Sequence, residues 1–151
     1  MTMAGFIDSL GISASGLTAQ RLRMDVIASN IANAQTTRTP EGGPYRRRVV
    51  ELEPVEGQTF ADALAGAMGQ AGDAPSGAGV RVAGIVTDPS PFPVVYDPSN
   101  PDAVGGYVQM PNVDISTEMV DLVAASRAYE ANVTAFNAGK QMLMDALTIG
   151  R

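Results

Sequence analysis

The chain contains no cysteine, no histidine and no tryptophan among its 151 residues. These absences exclude disulfides, thiolate nucleophiles, histidine acid–base catalysis and the usual zinc sites. Aromatic residues are scarce as well, at four phenylalanines and four tyrosines, so few large side chains are available to fill a core. We therefore expect no cofactor. We also expect a thin core, which is supplemented by contacts with other chains.

The charge balance argues against polyanionic partners. The net charge at pH 7 is −6 and the isoelectric point is near 4.4, whereas nucleic-acid binding depends on Lys and Arg that neutralise phosphates. Membrane surfaces attract basic segments for the same reason, and charged residues interrupt every apolar stretch well before the roughly 20 residues that span a bilayer. We therefore expect neither a nucleic-acid partner nor direct insertion into a membrane.

The first 30 residues do not resemble a cleaved secretion signal. Asp8 lies where such a signal carries basic residues, and no sustained apolar core follows it. If the protein leaves the cytoplasm, we expect it to be exported without a cleaved signal peptide.

Two apolar stripes with seven-residue spacing lie at opposite ends of the chain. The stripes are Met3, Leu10, Leu17, Met24 and Ile31, and Ile115, Leu122, Tyr129, Phe136 and Leu143. Such recurrence is typical of helices that pack side by side along a seam. The spacing predicts helices over about residues 4–33 and 116–149, with Ser116 as the N-cap of the second. We predict that the subunit interface contains these seam residues: Leu10, Leu17, Met24, Ile27, Ile31, Leu122, Tyr129, Val133, Phe136 and Leu143.

Asn30 and Asn33 lie at the predicted end of the first helix. Asparagine tolerates the left-handed conformation that ends helices, and its amide can bond to free carbonyl groups. Two interpretations remain open for this pair. Asn30 and Asn33 either cap the helix alone or also bind a neighbouring chain, and we include both in the predicted subunit interface.

The middle of the chain has the character of strands and turns. The whole sequence contains sixteen glycines and ten prolines, which favour irregular connections. Alternating residues predict strands at 45–53 and 80–87 and a short strand at 106–108, and residues 57–79 read as a mobile loop. We predict an α+β protein in which terminal helices (1–35 and 112–151) pair as a coiled-coil-like unit around a small β-rich, Pro/Gly-rich middle region (36–111).

Several partial motifs do not meet the requirements of a ligand-binding or catalytic site. Gly77 and Gly79 precede a strand, whereas a dinucleotide loop follows one. Asp97, Ser99 and Asp102 lack the Glu of a calcium loop and read as a turn network. The run of arginines at 46–48 would be divided between two faces of a strand, which favours a solvated strand or an inter-subunit salt bridge. We expect that the protein is not an enzyme.

Several segments, in the right order along nearly the whole chain, resemble the bacterial flagellar rod, hook and hook-associated proteins. The N-terminal signature of that group is similar to residues 15–33 with Thr36. Further stretches narrow the resemblance to the basal-body rod protein family, with the proximal rod protein the most similar: residues 43–47, 95–98, 100–103, 106–108, 111–113, 118–122 and 125–133. The family commonly has His where this chain has Asn100, and an acidic residue where it has Val104.

The resemblance implies a function that the residues alone leave open. Members of this family are structural subunits of the periplasmic rod, a drive shaft that transmits torque and encloses the export channel. The resemblance implies export without processing through the flagellar type III apparatus, with the terminal helices forming an inner layer. The implied partners are copies of this chain, other rod proteins, and the proteins at the junction of membrane ring and export gate.

Two other classes of function remain as alternatives. An adaptor or filament subunit of another type III secretion system would share the helical termini but would have no need of the stretches around Tyr45 and Tyr107. A carboxylate enzyme that acts on cell-wall glycan is motivated only by the abundance of Asp and Glu. Localisation in isolated basal bodies separates the first alternative from a rod subunit, and hydrolysis of peptidoglycan would support the second.

Overall fold

The computed structural model describes residues 3–55 and 79–149. A long helix lies at each end of this part of the chain, with four strands between them. The α+β class with N- and C-terminal helices is therefore confirmed, while residues 57–78 of the predicted loop lie outside the described residues. The elements are α1 (Met3–Ala32), β1 (Arg48–Val55), β2 (Gly79–Thr87), β3 (Val94–Tyr96), β4 (Tyr107–Gln109) and α2 (Ile115–Ile149).

The C-terminal end of α1 is closed by side-chain hydrogen bonds. The Asn33 amide nitrogen donates to the Ser29 carbonyl at 2.8 Å, and the Thr36 hydroxyl donates to the Asn33 side-chain oxygen at 3.2 Å. Among the described residues, only glycines have a positive φ. Asn33 thus ends the helix through its side chain, and the left-handed conformation that the sequence suggested is not used.

The N-terminus of α2 is capped by Asp114. Its carboxylate accepts hydrogen bonds from the Ser116 backbone N–H at 2.9 Å and from the Thr117 hydroxyl at 3.1 Å. The helix begins one residue earlier than predicted, at Ile115, and Ser116 as the N-cap was wrong. Asp114 is the N-cap because its carboxylate accepts two hydrogen bonds at once. Its negative charge also interacts favourably with the positive end of the helix dipole.

The four strands form two separate two-stranded sheets, β1 with β2 and β3 with β4. In the second sheet the strands are antiparallel, with Val94 opposite Gln109 and Tyr96 opposite Tyr107. The turn before β4 places Gly105 and Gly106 at φ of 63° and 84°, a geometry that glycine adopts without strain. The predicted strand at 45–53 begins later, at Arg48, because the Arg47 backbone N–H donates to the side chain of Asn112.

The described residues belong to two compact units. The first takes its residues from 1–21, 52–83 and 127–151, and the second from 22–51 and 84–126. Within the first unit, Gly139 of α2 lies against Leu10, and Gly16 lies against Asn132. The lower residue number on α1 thus meets the higher number on α2, so the two helices run antiparallel in this unit.

The core of the second unit is small. Its buried apolar side chains come from α1, from the segment before β1, from β4 and from α2, and they are Val26, Ile27, Ala34, Tyr45, Val108 and Ala125. Neither helix of the described chain has an apolar segment long enough to cross a bilayer. Such a small apolar core leaves an important share of the unit's stability to polar contacts.

Candidate functional site

Residues of α2 contact α1 within each unit: Glu118 bonds to Asn30 in the second unit, and Asn132 and Gly139 lie against Gly16 and Leu10 in the first. Glu118, Ala125, Asn132 and Gly139 recur every seven residues, and all are buried except the half-buried Asn132. A side-chain carbon at Gly139 would lie 3.2 Å from Leu10 Cδ2 in the first unit. This line lies three residues from the predicted stripe, because small residues allow the closer approach of two helices while larger ones pack on either side.

Asn30 and Glu118 form the buried polar centre of the second unit. Each is only 1% exposed. The Asn30 amide nitrogen donates to Glu118 Oε2 at 3.0 Å and to the Arg48 carbonyl at 2.8 Å. The Asn30 oxygen accepts from the Tyr45 hydroxyl and from the Arg48 backbone N–H, both at 3.0 Å. All donors and acceptors of this amide are used within the chain, as burial of a polar group requires.

Arg47 supplies the positive charge that Glu118 requires. Its Nε lies 2.5 Å from Glu118 Oε1, and its terminal nitrogens lie 3.4 Å from Asp121 and 3.6 Å from Asp88. The side chain of Arg47 is 25% exposed, against 1% for Glu118. The guanidinium group therefore joins the start of α2 to the segments that precede β1 and follow β2. We name Asn30, Tyr45, Arg47 and Glu118 the buried polar cluster.

Electrostatics keep Arg47 charged. Burial by itself lowers the pKa of Arg47, but the hydrogen bond to Glu118 and the charges of Glu118, Asp121 and Asp88 outweigh burial and raise the pKa above its ordinary value. The Ser90 hydroxyl and backbone N–H lower the pKa of Asp88. Because one guanidinium faces three carboxylates, the arginine stays protonated and no unpaired positive charge is buried.

Neighbouring side chains fix the segment between β2 and β3. Arg46 and Asn112 both donate to the carbonyl groups of Asp88 and Ser90, at 3.0–3.4 Å. The Arg46 guanidinium also lies 4.3 Å from the centre of the Phe92 ring. Since the prolines of this segment lack N–H groups, side-chain donors to its carbonyls replace the missing backbone pairing.

The predicted interface residues are all at least half-buried within the chain. Ile27 and Asn30 are buried. The others are half-buried: Leu10, Leu17, Met24, Ile31, Asn33, Leu122, Tyr129, Val133, Phe136 and Leu143. Their contact with another subunit stays a prediction. For Asn30 such a contact would require the loss of a hydrogen bond within the buried polar cluster.

Sequence reasoning missed the roles of Arg47 and Glu118. The prediction of a solvated strand or an inter-subunit salt bridge is wrong for Arg47, which pairs with carboxylates of its own chain. Glu118 lies in the first turn of α2, where the helix dipole alone accounts for an acidic residue. The one available signal was indirect, since Asn30, Tyr45, Arg47, Asn112 and Glu118 all belong to the segments that carry the family resemblance, and these segments meet at this cluster.

Acidification is expected to destabilise the cap of α2. The Ser116 N–H and the Thr117 hydroxyl lower the pKa of Asp114 below its ordinary value. Its contribution to stability is therefore complete above pH of about 4 and is lost as the pH falls through the lower pKa of the folded state. Urea unfolding between pH 5 and pH 3 measures this loss. Asp114→Asn keeps an acceptor but cannot titrate, so its curve should fall less steeply. Equal slopes would contradict the assignment.

Two apolar surfaces of the second unit are uncovered. The helix patch consists of Ile115, Met119, Val120 and Val123 on α2, which are 40–69% exposed. The hairpin patch consists of Val94, Tyr96, Val104 and Tyr107, which are 56–83% exposed, and its two tyrosine rings meet edge to face at 5.2 Å. Contiguous exposed apolar surface of this kind marks interaction sites.

Within residues 3–55 and 79–149, no three acidic side chains converge to hold an ion. Asp97 accepts from the Ser99 N–H and hydroxyl, and Asn100 accepts from the Asp102 N–H, so the predicted turn network is confirmed.

Comparison with known proteins agrees with this architecture. Residues 10–38 match the family model described as flagella basal body rod protein, and residues 104–149 match the model described as flagellar basal body rod FlgEFG protein C-terminal. These two matches include most of α1 and all of α2.

Relatives align along nearly the whole chain. The flagellar basal-body rod protein FlgC of Bacillus subtilis is 55% identical over 148 residues, which cover 95% of this chain and 97% of that protein. The protein of the same name from Borreliella burgdorferi is 46% identical over 156 residues, covering 96% and 97%. That of Aquifex aeolicus is 39% identical over 141 residues, covering 93% of each.

The chain belongs to the family of flagellar basal-body rod proteins. Within this family its relatives make it a rod protein of the FlgC type. It is a structural component and not an enzyme, as the sequence predicted. Its place is the basal-body rod of the bacterial flagellum.

Proposed function

We propose that this chain is a subunit of the proximal rod, in the drive shaft that transmits torque and encloses the export channel. It assembles there with copies of itself and with other rod proteins. The observation that carries the proposal is the near full-length similarity to FlgC proteins, which reaches 55% identity over 95% of this chain. The uncovered helix and hairpin patches support it, because exposed apolar side chains gain stability when an assembly buries them.

The terminal helices are the assembly elements in this proposal. They pair as a coiled-coil-like unit that forms the inner layer of the shaft, and the β-rich middle region forms the outer layer. The antiparallel contacts of Leu10 with Gly139 and of Gly16 with Asn132 support the pairing. Half-burial of the seam residues is consistent with a second layer of contacts, since each retains surface that a neighbouring subunit could cover.

The same similarity supports the proposed location and export route. We place the protein in the periplasmic part of the basal body, exported through the flagellar type III apparatus without a cleaved signal peptide. At the base of the shaft it contacts proteins at the junction of the membrane ring and the export gate. The resemblance of residues 15–33 to the signature of axial flagellar proteins supports this route.

A charge in the seam tests the proposal. Leu17→Asp is expected to abolish rod assembly and motility in a strain that otherwise lacks this protein, because an unpaired carboxylate in a packed seam is strongly unfavourable. Swimming in soft agar and the presence of the chain in isolated basal bodies are the measurements.

The matched control is a change of shape without charge at the same position. Leu17→Met preserves volume and polarity, and such exchanges usually cost less than about 1.5 kcal/mol, so motility should persist. Full motility of the Leu17→Asp strain would contradict the seam. If the unaltered protein were absent from basal bodies isolated from normally swimming cells, the proposed function itself would be contradicted.

A further inference from the structure

Two consecutive residues of α1 contact two different elements of the first unit. Ser15 bonds to the start of β2, because its Oγ accepts from the Val80 N–H at 3.2 Å. Gly16 lies against Asn132 of α2. Successive side chains of an α-helix point about 100° apart around its axis, so neighbouring positions can serve two partners. We name Ser15 and Gly16 the Ser-Gly pair.

The serine of this pair holds β2 to the helix through both directions of its hydroxyl group. Besides accepting from Val80, the hydroxyl donates to the Ile12 carbonyl at 2.7 Å within α1, so its orientation is fixed. A side-chain carbon at Gly79 would lie 2.8 Å from Ser15 Oγ, well inside van der Waals contact. Glycine at position 79 therefore allows β2 to begin directly against the helix.

The glycine of this pair allows α2 to approach. A side-chain carbon at Gly16 would lie 2.9 Å from Asn132 Nδ2 and 3.2 Å from Asn132 Cγ. Rotation of the Asn132 amide can make room for a methyl group, but a longer side chain would require α2 to move away from α1. A glycine inside a helix is unfavourable relative to alanine, and the close contact with α2 is a physical reason for its presence here.

Gly11 shows that this requirement is local. It lies on the same helix and is exposed, and nothing lies within 4 Å of the position that an added side-chain carbon would take. Gly11 precedes residues 15–33, which carry the resemblance to axial flagellar proteins, whereas the Ser-Gly pair begins them. The start of this segment thus has a structural role in the first unit that the nearby Gly11 does not share.

We infer that the Ser-Gly pair positions α1 between α2 and β2, and that the rod requires the pair for assembly and not for export. This inference rests on the proposed function, because it requires an exported rod subunit. The contacts of Ser15 and Gly16 exist only in the folded unit, whereas an export signal acts through the sequence itself. Loss of these contacts should therefore reduce incorporation into the rod and leave export unchanged.

Leucine substitutions at two glycines test this separation. Gly16→Leu and Gly11→Leu both introduce a good helix former, but only at position 16 does the new side chain meet α2. In a strain that otherwise lacks this protein, Gly16→Leu should lower the amount of the chain in isolated basal bodies by about tenfold or more. The exported fraction of the chain, measured by cell fractionation, should stay unchanged. Gly11→Leu is the matched control and should assemble normally.

A size exchange in the purified protein tests the contact itself. Gly16→Ala adds a methyl group against the Asn132 amide, and Asn132→Ala removes that amide. The folding equilibrium constant of the double variant should exceed the value expected from the two single effects by about fivefold. Urea unfolding of the unaltered protein and the three variants measures this coupling. The measurement decides the question even if cells degrade the Gly16→Leu chain.

Three results would overturn the inference. Retention of the Gly16→Leu chain in the cytoplasm would show that the pair acts in export. Normal assembly of this chain would show that α2 needs no close approach at position 16. Purely additive effects of the two alanine substitutions would show that positions 16 and 132 do not interact. Absence of the unaltered chain from basal bodies would instead contradict the proposed function.

Discussion

Replacement of Glu118 by alanine is expected to lower the free energy of unfolding by about 3 kcal/mol. The change removes the carboxylate that accepts from both Asn30 and Arg47 in a position only 1% exposed. Arg47 keeps its weaker pairs with Asp88 and Asp121, which places the effect at the lower end of the range for a broken buried ion pair. In a chain of this length the melting temperature should fall by about 10 °C.

Glu130→Ala provides the control for this measurement. Glu130 lies on the same helix, but it is exposed, and surface substitutions of this kind stay within about 0.5 kcal/mol. Urea unfolding of the purified variants compares the two. Equal stability of Glu118→Ala and Glu130→Ala would show that the buried polar cluster does not hold the second unit together.

The helices could be predicted from the sequence because their signal is local. Seven-residue recurrence of Leu, Ile and Met identified both helices within one or two residues of their ends. The same pattern did not indicate the small residues of α2, such as Gly139, that lie against α1. Ala125 and Gly139 are buried, and Gly139 lies against Leu10, yet small residues also occur on exposed faces, so their recurrence carries little weight in a sequence.

The buried polar cluster could not be predicted for a different reason. Arg47 and Glu118 are 71 residues apart in the chain. The local sequence around either residue does not predict that it pairs with the other. A run of three arginines predicts side chains on a solvated strand. A glutamate in a first helical turn is explained by its interaction with the helix dipole. Their pairing depends on how the segments before β1 and after β2 approach α2, which is a tertiary property.

The choice of the helix cap shows a smaller failure of the same kind. Asp114 and Ser116 are both good N-cap residues, and the sequence alone does not rank them. In the structure Asp114 accepts two hydrogen bonds, from the Ser116 N–H and the Thr117 hydroxyl. Serine with one hydroxyl would satisfy fewer donors, so the helix begins one residue earlier than the apolar pattern indicated.

The second large effect is expected at Asn30, where the isosteric change Asn30→Asp should destabilise the protein by about 2–3 kcal/mol. The change replaces the nitrogen that donates to Glu118 Oε2 and to the Arg48 carbonyl with an oxygen that cannot donate. Two carboxylates then face each other in a buried site with a single guanidinium nearby. Urea unfolding at neutral pH measures the loss.

A second substitution should restore part of this stability. In the double variant Asn30→Asp with Glu118→Gln, the amide and the carboxylate exchange places. The introduced glutamine can then donate to the introduced aspartate while its oxygen accepts from Arg47, and the number of buried charges returns to that of the natural protein. The Arg48 carbonyl still lacks its donor, so recovery should be incomplete, and a coupling energy of about 1–2 kcal/mol is expected. Purely additive losses would mean that Asn30 and Glu118 stabilise the fold independently, which would contradict the 3.0 Å hydrogen bond between them.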